Sequence, residues 1–257
     1  MRSLLKSIVR SNFIILLRNS LNIRPLRLSL KTQHPVTVSD AFMWRTDNNF
    51  KTKFKYSDIL NLFYDIEDSW VELHFYSKKN ELIRVTKITK LEISNELNIN
   101  AEYLNNISDY GVFYIYHFSN NNTNLNNESI IINRCYVGYS FNNNLHSFVH
   151  GNVLARFTKI ESGRKTFSDV VKTSLFKNQT YSVQKYFEGN DKTEAFFVNP
   201  TSKIIKFSIG SNRYILKSGS SILIEIKDPI LNIKSNCAFL RPIVFCYKNN
   251  YLDVHHT

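Results

Sequence analysis

The residues best equipped for chemistry crowd into one stretch, NRCYVGYSFNNNLHSFVHGN, at positions 133–152. It holds Arg134, Tyr136, Tyr139, His146, His150 and Asn152. Aromatic rings stack on sugar rings, while Arg, His and Asn supply directed hydrogen bonds. The stretch is therefore expected to form a ligand-binding surface. Arg134, Tyr136 and Tyr139 would line one side, with His146, His150 and Asn152 on the loop beside it. The competing reading is ordinary strand packing closed by a turn at His150-Gly151-Asn152.

Sharper chemistries fit the same residues less well. His146 and His150 stand at i, i+4 and would clamp a metal from one face of a helix, with His255-His256 completing the set. Three asparagines before them and Gly151 after them argue against a helix, and acidic partners are absent nearby, so no metal is expected. Cys135 with a histidine base would make a nucleophile. The run Arg134-Cys135-Tyr136-Val137 reads as strand, which predicts a buried, inert thiol. Trp44-Arg45 is a second candidate pair, in which the guanidinium holds an anion while the indole stacks on a ring. The alternative there is a core tryptophan beside a surface arginine. An enzymatic reading would use His146 or His150 as a general base on a saccharide or nucleotide-sugar. No phosphate-loop, dinucleotide, serine-hydrolase, kinase or zinc-ribbon pattern occurs, and no cofactor is expected.

Composition limits the class of protein that must position these groups. The chain has 257 residues, 43% of them hydrophobic and 14% aromatic, enough for a well-packed core rather than a disordered chain. The formal charge of +12 favours phosphate, anionic lipid or acidic polysaccharide as a partner. Without a helix-turn-helix or an RNA-binding aromatic signature, the charge does not point to a specific nucleic-acid partner. Only seven glycines and five prolines are present, so turns must fall to Asn, Asp and Ser. The abundance of Asn and Lys also fits AT-rich coding, and individual asparagines are discounted on that ground. Three cysteines without CxxC spacing fit reduced thiols in a cytoplasmic protein.

Residues 1–31 carry seven Lys or Arg and no acidic residue. At 100° per residue, Leu4, Leu5, Ile8, Val9, Ile15 and Leu16 share a side opposite Lys6, Arg10 and Arg18. The segment is expected to be a basic amphipathic helix lying on an anionic membrane surface. A helix docked on the protein's own sheet and a targeting peptide are the alternatives. Localisation would then be cytoplasmic, peripheral on the inner face of the membrane.

Beyond residue 35 the period is two. WVELHFY at Trp70–Tyr76 puts Val71, Leu73 and Phe75 on one face, and Leu82–Ile88 returns after the turn Lys78-Lys79-Asn80. Ser57 is expected to cap a short helix over Asp58–Tyr64, with Ile59, Leu60 and Phe63 turned inward. YGVFYIYHF at Tyr110–Phe118 reads as a central strand buried on both faces. Arg156–Thr166 reads as a linker. In the second half, Ala195–Val198, the turn Asn199-Pro200-Thr201-Ser202 and Ile204–Ile209 predict a second hairpin, continued by Arg213–Leu216 and Ile222–Ile226. Residues 69–85 match 193–209 in strand, turn, strand order, and 108–117 match 236–247, which suggests an internal repeat.

The fold expected is all-β: two antiparallel β-sandwich domains in tandem, residues 36–152 and 153–257, preceded by the helix at 1–31. The strand, short turn, strand order and the late segment IKSNCAFLRPIVFCY resemble the bacterial β-sandwich family of sensory rhodopsin transducers, apparently in two copies. That resemblance implies a fold related to sugar-binding sandwiches. The functional expectation is a non-enzymatic binding protein for a saccharide or anionic glycan, accessory to cell-surface polysaccharide assembly. A structural module that forms homo-oligomers through sheet edges is a further alternative.

Overall fold

A computed structural model describes residues 11, 13–14, 36–121, 125, 130–133, 135–151, 154–161, 164–174, 178–237 and 240–256. The expected N-terminal helix therefore lies almost wholly outside the described residues. The first part of the chain forms β1 (Val36–Asp40), β2 (Phe42–Arg45), β3 (Phe50–Ser57), α1 (Ile59–Tyr64), β4 (Trp70–Ser77), β5 (Leu82–Ile88) and β6 (Ser94–Ile99). It continues with β7 (Tyr110–Phe118), β8 (Ile130–Asn133), β9 (Tyr136–Phe141), β10 (Ser147–His150), β11 (Leu154–Glu161) and β12 (Arg164–Asp169). The second part forms β13 (Gln179–Tyr186), β14 (Lys192–Val198), β15 (Ile205–Ile209), β16 (Asn212–Leu216), β17 (Ser221–Glu225), β18 (Ile230–Ser235), β19 (Ile243–Lys248) and β20 (Tyr251–His256).

The protein is all-β, and the described residues form five four-stranded sheets with orders β12-β11-β1-β8, β10-β9-β3-β6, β2-β7-β4-β5, β13-β18-β15-β16 and β17-β14-β19-β20. Among the described residues, β1 and β8 pair in parallel and the other pairings are antiparallel. The alternating pattern of β3 buries Phe50, Thr52, Phe54 and Tyr56 and turns the residues between them outward. Strand β7 runs between β2 and β4 and is buried along its middle, as its unbroken apolar run predicts.

Asparagine pairs make four of the turns. Asn48-Asn49, Asn105-Asn106, Asn142-Asn143 and Asn249-Asn250 all have both residues at positive φ. The last pair joins β19 to β20 directly, with Lys248 opposite Tyr251. A two-residue hairpin of this hand needs left-handed backbone at both positions, and Asn tolerates it best after Gly.

The central feature is the β17-β14-β19-β20 sheet. Along β14, Phe196 and Val198 enter the core of the first part, while Ala195 and Phe197 enter that of the second. Along β19, Ile243 and Phe245 face the first core and Val244 and Cys246 the second. Both faces of β14 and β19 are thus buried, and the two halves are joined through continuous apolar packing.

Several expectations change. β11 and β12 occupy the expected linker and complete a sheet with β1, so hydrogen bonding crosses the boundary expected at 152/153. β14 and β15 do not form a hairpin, because they belong to different sheets. Asn199 explains the crossing: its Nδ2 donates to the carbonyls of Lys203, Leu216 and Lys217 at 2.7, 3.0 and 3.0 Å. Its Oδ1 accepts from the Thr201 amide and hydroxyl. One buried side chain thus satisfies a corner that lets the chain change sheets. The stretches 69–85 and 193–209, alike in pattern, therefore differ in pairing. At α1 the cap is Asp58, which accepts from the Asn61 amide at 3.1 Å, rather than Ser57. Leu60 is buried there, but Phe63 is 70% exposed.

Candidate functional site

The alternation of β3 that fills the core with Phe50, Phe54 and Tyr56 necessarily sends Lys51, Lys53 and Lys55 to the opposite face. The flanking strands set what stands beside them. Lys55 is opposite Tyr136 on β9 and Glu96 on β6, and Tyr136 is opposite His150 on β10. The neighbouring row runs Phe148, Gly138, Lys53, Asn98 in the same way. Two rows of one outer face therefore read His150-Tyr136-Lys55-Glu96 and Phe148-Gly138-Lys53-Asn98.

The rings in these rows are open to solvent. Tyr136 and His150 lie with centroids 4.3 Å apart, and Tyr136 is 49% exposed. Phe148 is 39% exposed and lies across Gly138, where an added Cβ would come within 2.6 Å of the ring. The Lys55 ammonium sits 4.9 Å from the Phe148 centroid. Lys53 Nζ bonds Glu96 Oε1 at 2.6 Å, and Lys55 Nζ is 3.8 Å from Oε2. The Lys53 hydrogen bond holds the Glu96 carboxyl below its ordinary range. Two lysines thus meet one carboxylate. Beside the rows, burial and then the charge of Lys53 push the His146 pKa down, against the pull of Glu96. The shift favours the neutral imidazole, which accepts one hydrogen bond and donates another.

The structure brings Tyr136, His146 and His150 to this face and takes Tyr139, Trp44 and Arg45 elsewhere. Tyr139 is three residues from Tyr136, and on a strand an odd spacing means opposite faces. It is fully buried, donates to the Met43 carbonyl at 2.9 Å and packs edge-on to Phe245. Trp44 is fully buried, and its Nε1 donates to the Tyr76 carbonyl at 2.9 Å. Arg134 and Asn152 lie outside the described residues. Lys51, Lys53, Lys55 and Phe148 were not anticipated. The signal that finds them is FKTKFKY itself, where lysine alternates with core residues.

Arg45 is buried, not surface-exposed, and holds the two halves together. Its Nε donates to Asp47 Oδ1 at 2.8 Å, and one terminal nitrogen donates to Glu194 Oε2 at 2.7 Å and to the Tyr247 hydroxyl at 3.1 Å. Tyr247 in turn donates to Glu194, and Lys192 bonds its other carboxylate oxygen at 2.7 Å. The guanidinium also lies 3.9 Å from the Phe50 ring centroid. Burial alone would lower the Arg45 pKa, but the field of Tyr247, Asp47 and Glu194 raises it above its ordinary value. Burial raises the Tyr247 pKa, an effect the Glu194 hydrogen bond reinforces. This cluster is an internal strut between β2, β14 and β19.

The three cysteines are buried and none is in a disulfide. Burial pushes the Cys135 thiol well above its ordinary pKa, so it is a poor nucleophile. Among the described residues, no group of three or more His, Cys, Asp or Glu side chains gathers closely enough to hold a metal ion. No helix there is long and apolar enough to cross a membrane. Compared with known proteins, the chain matches no family model and no curated sequence.

Proposed function

We propose that the protein is a non-enzymatic binding protein that takes an anionic saccharide on the outer face of the β10-β9-β3-β6 sheet. The observation that carries this reading is the pair of rows in which exposed Tyr136 and Phe148 stand beside Lys53 and Lys55. A sugar ring would lie on the tyrosine or phenylalanine, and its carboxylate or phosphate would meet the lysines. His146 would add a neutral donor and acceptor. The sandwich-like, all-β architecture is consistent with this role. Two sandwich units, related to the transducer-like family that the strand order resembles, form part of the same reading. The basic amphipathic segment at 1–31 would hold the protein on an anionic membrane surface, where it would assist cell-surface polysaccharide assembly.

Calorimetric titration with a uronic-acid oligosaccharide and its neutral counterpart tests the reading. The acidic sugar should bind and the neutral one should bind at least tenfold more weakly. Tyr136→Ala should weaken the acidic sugar by roughly tenfold, on the order of 1.4 kcal/mol. Equal affinities for the two sugars, or an unaffected Tyr136→Ala protein, would remove the proposal. Liposome flotation with and without residues 1–31 tests the membrane part, and equal flotation of both would end it.

A further inference from the structure

The second half carries its own concave surface, on a sheet that the saccharide reading does not use. A groove of about 1040 Å³ opens over β15 and β16, lined in part by Ile204, Lys206, Ser208, Arg213, Ile215 and Lys234. That is the size of a small-molecule site. Strand pairing sets the arrangement. Ser208 is opposite Lys234 on β18 and Arg213 on β16, so these three cross the sheet in one row on one face. Lys206 is two residues back along β15, on the same face, opposite Ile215. Ile204 is two residues further back. Adjacent strands are about 4.8 Å apart and alternate residues about 6.7 Å apart. Two cations therefore flank a hydroxyl, a third stands one row away, and the far end is apolar.

Two features mark this groove. First, four cations, Lys203, Lys206, Arg213 and Lys234, gather in its lining. Among the described residues, Lys206, Arg213 and Lys234 take part in no ion pair and no carboxylate lines the groove. The acid seen at its rim, Asp169, accepts from the Ser202 amide at 2.6 Å. Second, Ile204 and Ile215 are 52% and 66% exposed at the apolar end, where burial would be favourable.

We propose that the groove binds a monoalkyl phosphate. The phosphate, carrying close to two negative charges, would sit between Arg213 and Lys234 with Ser208 donating to it. Lys206 would approach from the next row. The alkyl chain would run toward Ile215 and Ile204. The proposal is independent of the saccharide face, because the residues of the two sites belong to different sheets.

Titration of the full chain with hexyl phosphate, inorganic phosphate, hexanoate and hexanol, at constant ionic strength, tests it by calorimetry. Hexyl phosphate should bind saturably and at least tenfold more tightly than each of the other three. Arg213→Gln with Lys234→Gln should weaken it at least tenfold. Ile215→Ser should bring hexyl phosphate close to inorganic phosphate. Lys79→Gln with Lys90→Gln, outside both sites, should leave all four unchanged. These positions are exposed, and an unchanged thermal midpoint shows that each variant is folded. Equal binding of hexanoate would overturn the phosphate assignment, and equal binding of inorganic phosphate would overturn the apolar part. An unaffected Arg213→Gln, Lys234→Gln protein would overturn the location. Binding of phosphatidic acid vesicles that depends on Arg213 and Lys234, without binding of soluble hexyl phosphate, would assign the groove to a membrane surface and overturn the free-ester proposal.

Discussion

Arg45 and the lysines of β3 are both cations set against aromatic rings, yet they do opposite jobs. The Arg45 guanidinium is 3.9 Å from the Phe50 centroid, and the Lys55 ammonium is 4.9 Å from that of Phe148. Arg45 is 2% exposed and held by Asp47, Glu194 and Tyr247, while Lys55 shares one exposed carboxylate with Lys53. Once desolvated, a cation must be surrounded by its own partners, and it then has nothing left for a ligand. An exposed cation keeps its reach and contributes little to stability. Burial, not residue type, separates strut from binding face.

The comparison breaks most visibly at Arg45. Arg45→Met should lower stability by about 3–5 kcal/mol, because Glu194 is left buried with its strongest partner gone. Chemical denaturation measures this, and adding Glu194→Gln should restore part of the loss. Equal stability of Arg45→Met and the parent would show that the strut is idle. His117 extends the contrast to a group that can shed its charge. Burial pushes its pKa down to about 4 from the ordinary 6.5, against the pull of the Ser57 carbonyl, which is 3.0 Å from its Nε2. The unfolded chain binds a proton before the folded one does. Stability is therefore complete above pH 6.5, falls as pH drops toward 4 and levels off below that, by about 3 kcal/mol in all. Melting profiles across this range should be flatter for His117→Gln, and parallel profiles would count against the assignment.

Two strand glycines sharpen the same contrast. At Gly111 a Cβ would meet the Tyr76 carbonyl at 2.1 Å and Trp44 Nε1 at 2.7 Å, inside the core. Gly111→Ala should cost about 2–3 kcal/mol. At Gly138 the obstacle is the exposed Phe148 ring, which can swing away, so Gly138→Ala should cost less than about 1 kcal/mol while disturbing saccharide binding. Equal losses at the two positions would contradict the split between core and binding face. The smallest stability effect belongs to Lys53→Gln with Lys55→Gln. It should stay within about 1 kcal/mol and still weaken the acidic sugar, a separation that paired melting and titration would show.

Much of the architecture was legible because strands write their faces in alternate residues. WVELHFY, the continuous run of β7 and the polar turns at Lys78-Lys79-Asn80 each correspond to the element they predict. The four Asn-Asn turns were equally visible, but coding bias hid them, since a frequent residue is easily discounted at the positions that need it. Tyr136 and Tyr139 illustrate a reading that strand geometry itself forbids, because three residues along a strand reverse the face. Trp44-Arg45 illustrates the other limit: nothing local distinguishes a cation reaching for a ligand from one reaching for Glu194, far along the chain.

Composition and period two determined by themselves that this chain would be all-β, with a core of aromatic strands and lysines turned to solvent. Only the tertiary structure decided that β14 and β19 serve two cores at once, that residues 154–169 return to β1, and that Arg45 is enclosed while Lys53 and Lys55 remain open. Side-chain alternation is a local property of the backbone. Which sheet covers a given face depends on pairings between residues distant in sequence, and those are set by the free energy of the whole packing.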